Sequence, residues 1–150
     1  MKKITVRELK EEIKDLVKTK LPIAVDFDGT MVRHRFPDIG EENEKCVEVL
    51  KKWIDNGVGI ILDTMRCGKE LEEAIKWCKD RDIKLYGISK EPNQEEWTTS
   101  PKCYAVFSID DRNLGVPLIY EEGDRPRVDW DKIDKQYSDF IIHLANKYKS

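Results

Sequence analysis

The sequence predicts an α/β fold, a three-layer sandwich built around a mostly parallel, Rossmann-like sheet. Two patterns predict it. Short apolar runs of strand length, such as Ile23-Ala24-Val25 and Val58 to Leu62, alternate with longer stretches whose apolar residues recur at helical spacing. Three of the four such runs, the first, second and fourth, also end in a carboxylate: Asp26, Asp63 and Asp110. Continuous apolar strands separated by amphipathic helices are the mark of βαβ units, whose parallel sheet is covered on both faces.

At the start, Thr5 can cap a helix, Glu8 closes a capping box and Ile4 can staple onto Leu9. Val6, Leu9, Ile13, Leu16 and Val17 carry the helix over 5–20, where Pro22 ends it. Ile23-Ala24-Val25 is the first strand and runs straight into Asp26, and Met31 to Gly40 is a polar loop. Glu41 to Asn56 reads as a helix with Val47, Leu50 and Ile54 inward and Gly57 as its stop. Val58 to Leu62 is the second strand, closing on Asp63-Thr64. Gly68 to Arg81 is a helix through Leu71, Ala74, Ile75 and Cys78. Ile83 to Ile88 is the third strand, Lys90 to Pro101 a loop, and Tyr104 to Ile109 the fourth strand, ending at Asp110. Leu118-Ile119-Tyr120 is a candidate fifth strand and Glu121 to Arg127 an exposed loop. A last helix over 129–148 buries Trp130, Ile133, Tyr137, Phe140, Ile141 and Leu144.

A chain of 150 residues holds one proper core and is too short for two ordinary domains. We therefore read 1–150 as one domain with its motifs in a core over 22–117. With 27 basic and 30 acidic side chains the net charge is -3, which argues against a general nucleic-acid footprint; nucleic acid enters only as a substrate. The apolar runs fall far short of the ~20 residues a bilayer requires. Charged residues follow Met1-Lys2-Lys3 where a signal peptide needs an apolar stretch, so a cytoplasmic location is expected. Cys46, Cys67, Cys78 and Cys103 have neither zinc-site spacing nor the arginine six positions on that a cysteine phosphatase needs. Cys46 and Cys78 fall in helical patterns as small core residues.

In open α/β sheets, ligands bind beyond the carboxyl ends of the strands. The first strand carries Asp26-Phe27-Asp28-Gly29-Thr30 there, the second Asp63-Thr64-Met65-Arg66, and the fourth Asp110-Asp111-Arg112-Asn113. Each piece has a bland reading: Asp-Gly is a common turn, Asp110-Asp111 a solvated strand end or helix cap, Lys102 a surface lysine. Together they crowd carboxylates on one rim, which is costly unless a cation offsets them. Oxygen ligands without histidine or cysteine favour a hard ion, and phosphate chemistry favours Mg²⁺.

Asp-x-Asp-Gly-Thr, a strand-end Thr, a Lys and a strand-end Asp-Asp, in that order from Ile23 to Gly115, resemble the four motifs of the haloacid dehalogenase superfamily. The first motif, Asp26 to Thr30, is the specific one. The loop Arg33-His34-Arg35-Phe36-Pro37 and the stretch Ile109 to Gly115 further resemble small capless hydrolases of bacteria and phages. The resemblance implies that Asp26 is a nucleophile forming an aspartyl-phosphate and that Asp28 is the general acid/base. It implies that Asp26, Asp110 and the backbone carbonyl of Asp28 bind Mg²⁺, with Asp111 orienting the metal's water. Thr64 and Lys102 would hold phosphoryl oxygens, Lys90 being the rival for the lysine role. The resemblance also implies, from an aspartate at position 28, transfer to water or a sugar hydroxyl rather than carbon–halogen cleavage.

Arg66 and Asn113 are further candidates for contacts to the residues around the site or to substrate, and Arg33, His34 and Arg35 for reading substrate charge, against the plain alternative of a solvated basic loop. Trp97 either stacks on a base or anchors its loop. Met31 to Asn56 and Lys90 to Pro101 leave no room for a cap domain, which suits a bulky substrate or a site covered by a second subunit. The expected function is a Mg²⁺-dependent phosphomonoester hydrolase, with a nucleotide or polynucleotide end phosphatase as its sharper version. From other classes, a phospho-accepting receiver domain would carry its acidic pair first and its acceptor later, the reverse of the order here. A non-catalytic binding module would have no use for Asp26, Asp28, Lys102 and Asp110 together.

Overall fold

The computed structural model describes residues 5, 6 and 19–148. The helix expected over 5–20 lies, but for its ends, outside them. Four strands, β1 (Leu21–Val25), β2 (Val58–Leu62), β3 (Leu85–Ile88) and β4 (Phe107–Ile109), form one parallel sheet in the order β3-β2-β1-β4. β1 and β2 are buried at every position, as their unbroken apolar runs require. Ile23 stands between Ile60 and Phe107, and Val25 between Leu62 and Ile109.

Among the described residues three long helices accompany the sheet: α1 (Cys46–Asp55), α2 (Gly68–Asp80) and α3 (Trp130–Tyr148). All three bury residues in one cluster with Leu21, Ile23 and Val25 of β1 and Val58, Ile60 and Leu62 of β2. Trp53 of α1 meets Trp130 of α3 edge-on at 5.8 Å, and its indole N–H donates to Ser138 Oγ at 2.9 Å. Full burial of such a ring, with its polar tip paired, stabilises by about 3 kcal/mol. Ala24 and Ile61, the alternate positions, are equally buried and point to the other face. The β1–β2 and β2–β3 crossovers move across the sheet in one direction, so right-handed connections put α1 and α2 on the same side. The β3–β4 connection, an irregular segment with a short 3₁₀ turn at Gln94–Glu96, returns the opposite way, which by the same handedness rule puts it on the other face as the third layer. The arrangement is the Rossmann-like sandwich that the sequence predicts, and among the described residues no cap is evident over it.

Four departures have local causes. α1 starts at Cys46 rather than Glu41, because Asn43 is needed elsewhere: fully buried, it donates through Nδ2 to the carbonyls of Thr30 (2.9 Å) and Val128 (2.8 Å). β4 starts at Phe107 rather than Tyr104, since Gln94 captures the backbone ahead of it, accepting from Tyr104 N at 2.8 Å. The fifth strand exists as β5 (Leu118–Ile119) but pairs antiparallel with β6 (Arg127–Val128) in a separate hairpin. Arg127, expected in an exposed loop, is therefore buried. Finally, Tyr137 and Phe140 of α3 are about half exposed and Leu144 only partly buried. Tyr137 and Phe140 face the β4 edge, where no further strand of the described residues pairs, and line an apolar groove of about 740 Å³.

Candidate active site

All four parallel strands deliver their C-terminal residues to one rim. β1 and β4 are paired up to Val25 and Ile109, so the next residue of each, Asp26 and Asp110, must emerge side by side. Asp26 N donates to Ile109 O at 2.9 Å, extending the ladder by one step. Asp26, Asp110 and Asp111 each present a carboxylate oxygen, all within 4.8 Å of one another.

The turn after β1 fixes what faces the cavity. Phe27 O accepts backbone N–H bonds from Thr30, Met31 and Val32. The Phe27 ring turns into the core, edge-on to Trp77 at 5.5 Å, leaving Asp26 and Asp28 on the open side. Gly29 takes φ +84, a left-handed conformation that favours glycine. A Cβ there would strike His34 Nε2 and stand 2.8 Å from Asp111 Oδ2. Thr30 is buried: its carbonyl accepts from Asn43 Nδ2 and from Trp130 Nε1 (2.7 Å), and its hydroxyl donates to Asp26 Oδ2 at 3.0 Å. Core packing thus sets the rotation of the Asp26 carboxylate.

A cavity of about 260 Å³ opens over these groups, lined by Asp26, Asp28, Thr64, Arg66, Asp110 and Asp111 together with His34, Phe36, Met65, Arg112 and Arg125. Burial first, then the charge of Asp110, pushes Asp26 up to about 8, against the pull of the Thr30 bond. Burial also raises Asp110. Asp111 is held below the usual carboxylate range: burial pushes it up, but the 2.9 Å bond with His34 Nε2 and its contacts with Asp110 and Asp26 outweigh that. Three carboxylates with no thiolate or imidazole in the set could hold a hard divalent cation, with His34 behind Asp111 as an outer support.

Asp28 stands apart from the trio. Both of its oxygens accept from Arg66, Nε to Oδ2 and Nη2 to Oδ1, each at 2.7 Å. The pair raises the Arg66 guanidinium further above its ordinary value, against the burial that lowers it. Arg66 also donates to the carbonyls of Asp38 (2.8 Å), Pro37 and Glu70, so one buried side chain ties the flap loop to the rim. Thr64 lines the cavity, its hydroxyl accepting from Arg66 N at 3.1 Å.

Other sequence candidates fall elsewhere. Lys102, expected to hold phosphoryl oxygens, is exposed and lines no part of the cavity. Its segment is closed on itself, Gln94 Nε2 donating to Lys102 O and Lys102 N to Ser100 Oγ. Its rival Lys90 pairs with Glu95 at 3.1 Å. Arg33 is drawn away from the cavity by Glu121 (2.9 Å), Asp124 (3.2 Å) and Glu44 (3.5 Å). Asn113 donates to Ser108 O and borders the apolar groove instead. Trp97 sits against Tyr104, outside the cavity.

A solved structure of a conserved protein coded by a locus of Bacteroides thetaiotaomicron is similar to this chain, at 38% identity over 81% of this chain and 92% of that one, with a TM-score of 0.66. This chain belongs to the family of that conserved protein. No protein-family model matches the chain, and no curated protein does. Family membership carries the fold, and the chemistry rests on the side chains of the rim.

The sequence pattern missed the part of four rim residues. Thr30 reads as the closing residue of a motif, and only the buried tie to Trp130, 100 positions on, shows it as the brace of Asp26. His34 reads as one of three basic loop residues, and its tie to Asp111 spans 77 positions. Arg112 and Arg125 have no local signal that separates them from other surface arginines.

Proposed function

We propose that this chain is a Mg²⁺-dependent phosphomonoester hydrolase of the haloacid dehalogenase type, working through an aspartyl-phosphate on Asp26. One observation carries the reading: Asp26, Asp110 and Asp111 offer oxygens within 4.8 Å of one another, in a place where burial already resists the charge of Asp26. Such a cluster is stable as carboxylates only around a cation, and an all-oxygen set suits Mg²⁺. Bound there, the ion would offset the carboxylates and polarise a phosphoryl oxygen.

Asp26 attacks phosphorus while the ester P–O bond breaks, and the leaving oxygen takes a proton from Asp28. Water then attacks the acyl-phosphate phosphorus and gives a proton back to Asp28, releasing inorganic phosphate and restoring Asp26. Thr30 keeps the Asp26 carboxylate from rotating. Asp28 can take its part only when its pair with Arg66 opens, and Arg66 is then free for phosphoryl oxygens, the role the resemblance gives to a lysine. In the same reading the enzyme is cytoplasmic and acts on a phosphorylated small molecule or macromolecule end. Among the described residues no helix is long and apolar enough to cross a membrane.

The test is hydrolysis of an aryl phosphate by the purified protein. Turnover is expected only with Mg²⁺ added and is lost in Asp26→Asn. Turnover that survives this substitution removes Asp26 as nucleophile.

A further inference from the structure

Five of the seven described arginines are ion-paired: Arg33 and Arg127 with Glu44 and Glu121, Arg35 with Asp124, Arg66 with Asp28, and Arg81 with Glu42. The other two, Arg112 and Arg125, form no ion pair or side-chain hydrogen bond among the described residues, and both line the cavity of the three carboxylates.

Their backbones are held in place. Arg112 follows Asp110-Asp111 in a turn closed by its own N–H to Asp110 Oδ1 at 2.9 Å. Arg125 sits in the β5–β6 hairpin, where two of the acids that precede it are pinned. Asp124 is gripped by Arg33 at 3.2 Å and Arg35 at 3.1 Å, and Glu121 by Arg33 at 2.9 Å and Arg127 at 2.8 Å. Asp124, its neighbour in sequence, and Glu121 are therefore already engaged, Glu122 makes no ion pair with it, and its charge is left for something that enters the cavity. In the same cavity lining Phe36 is 62% exposed, with the Arg66 guanidinium 5.1 Å from its ring.

We propose, resting on the phosphatase reading above, that Arg112 and Arg125 select a phosphomonoester whose leaving group carries a second phosphate, a ligand of the nucleotide class with its base against Phe36. The scissile phosphoryl group has Thr64, Arg66 and the cation to receive it, so two more guanidiniums on the same cavity match a further anion. An exposed aromatic ring next to them suits a base, whose face stacks without regard to its identity. The free nucleotide and the phosphorylated end of a polynucleotide share this chemistry.

The test separates binding from turnover. Binding of adenosine 3′,5′-bisphosphate, adenosine 5′-monophosphate and a 5′-phosphorylated oligonucleotide is measured on the Asp26→Asn protein with Mg²⁺, and hydrolysis on the unsubstituted protein. The ligands with a second phosphate should bind about tenfold or more tightly than the monophosphate, and the preference should fall toward one in the Arg112→Gln, Arg125→Gln double variant. Both residues are exposed, so the variant should fold, which its urea midpoint checks. The tighter of the two doubly charged ligands identifies the source. Equal binding of mono- and bisphosphate, or a preference that the double variant keeps, overturns the proposal. Binding with the predicted preference but no hydrolysis of any ligand supports it and sinks the phosphatase reading, while hydrolysis without preference does the reverse.

Discussion

Arg66 grips Asp28 through two parallel hydrogen bonds of 2.7 Å, and the rings of Phe27 and Phe36 each lie 5.1 Å from its guanidinium carbon. Only a planar fork makes both bonds at once, and lysine cannot. The Arg66 side chain is almost fully buried, so its removal leaves Asp28 facing a low-dielectric wall with no partner. Arg66→Ala should cost about 3 kcal/mol of stability, read from urea unfolding, and about 10²–10³-fold in turnover. Arg66→Lys should recover part of the stability and little of the turnover. A lysine variant as active as the parent would show that the bidentate geometry has no role.

His34 bonds Asp111 at 2.9 Å with both side chains mostly buried. An outer residue of this kind orients a metal-binding carboxylate, and its loss weakens cation binding by about 10–100-fold. His34→Ala should therefore raise the Mg²⁺ concentration needed for half-maximal activity by about that factor, with most activity regained at saturating Mg²⁺. His34→Gln, which keeps an N–H at comparable reach, should fall between the two. Unchanged Mg²⁺ dependence in the alanine variant would separate His34 from the cation site.

The split between what could be read from the sequence and what could not follows the range of the interactions. β1, β2 and the carboxylates at their ends are local patterns, an apolar run followed by Asp, and pairing of β1 with β4 then forces Asp26 beside Asp110. Lys102 falls outside the cavity lining, which its order along the chain could not foretell. Arg33 fails because its partners Glu121 and Asp124 are 88 and 91 positions away. Tyr137 and Phe140 have the spacing of buried residues, but burial needs a neighbour beyond β4, which periodicity cannot supply.

Gly29 tests how tightly the first motif is packed. At φ +84 any other residue is strained, and a Cβ would push against His34 Nε2 and Asp111 Oδ2. Gly29→Ala should destabilise by about 1–3 kcal/mol. It should also weaken Mg²⁺ binding as His34→Ala does, because it displaces the same contact. If calorimetry shows the stability loss with Mg²⁺ affinity intact, the strain stays in the backbone and does not reach Asp111.

The carboxylate cluster predicts a pH dependence of opposite sign with and without the cation. In the unfolded chain Asp26 titrates near 3.8, and in the fold near 8. Between these values the folded state keeps a proton that the unfolded state has released, so stability without metal falls as pH rises through that window, by at most about 1.4 kcal/mol per pH unit for one proton. Burial raises Asp110 as well and adds the same sign, whereas the lowered Asp111 opposes it, so the trio titrates as a unit. Mg²⁺ reverses the trend: it binds the ionised carboxylates, displaces the shared proton and tightens as pH rises toward about 8. Urea midpoints taken from about pH 4 to about pH 8, in chelator and in Mg²⁺, measure both slopes. Asp26→Asn removes the group with the largest shift and should flatten the chelator profile. Parallel profiles for the two proteins would mean that Asp26 is ionised in the fold without help, and that the cluster has no need of a cation.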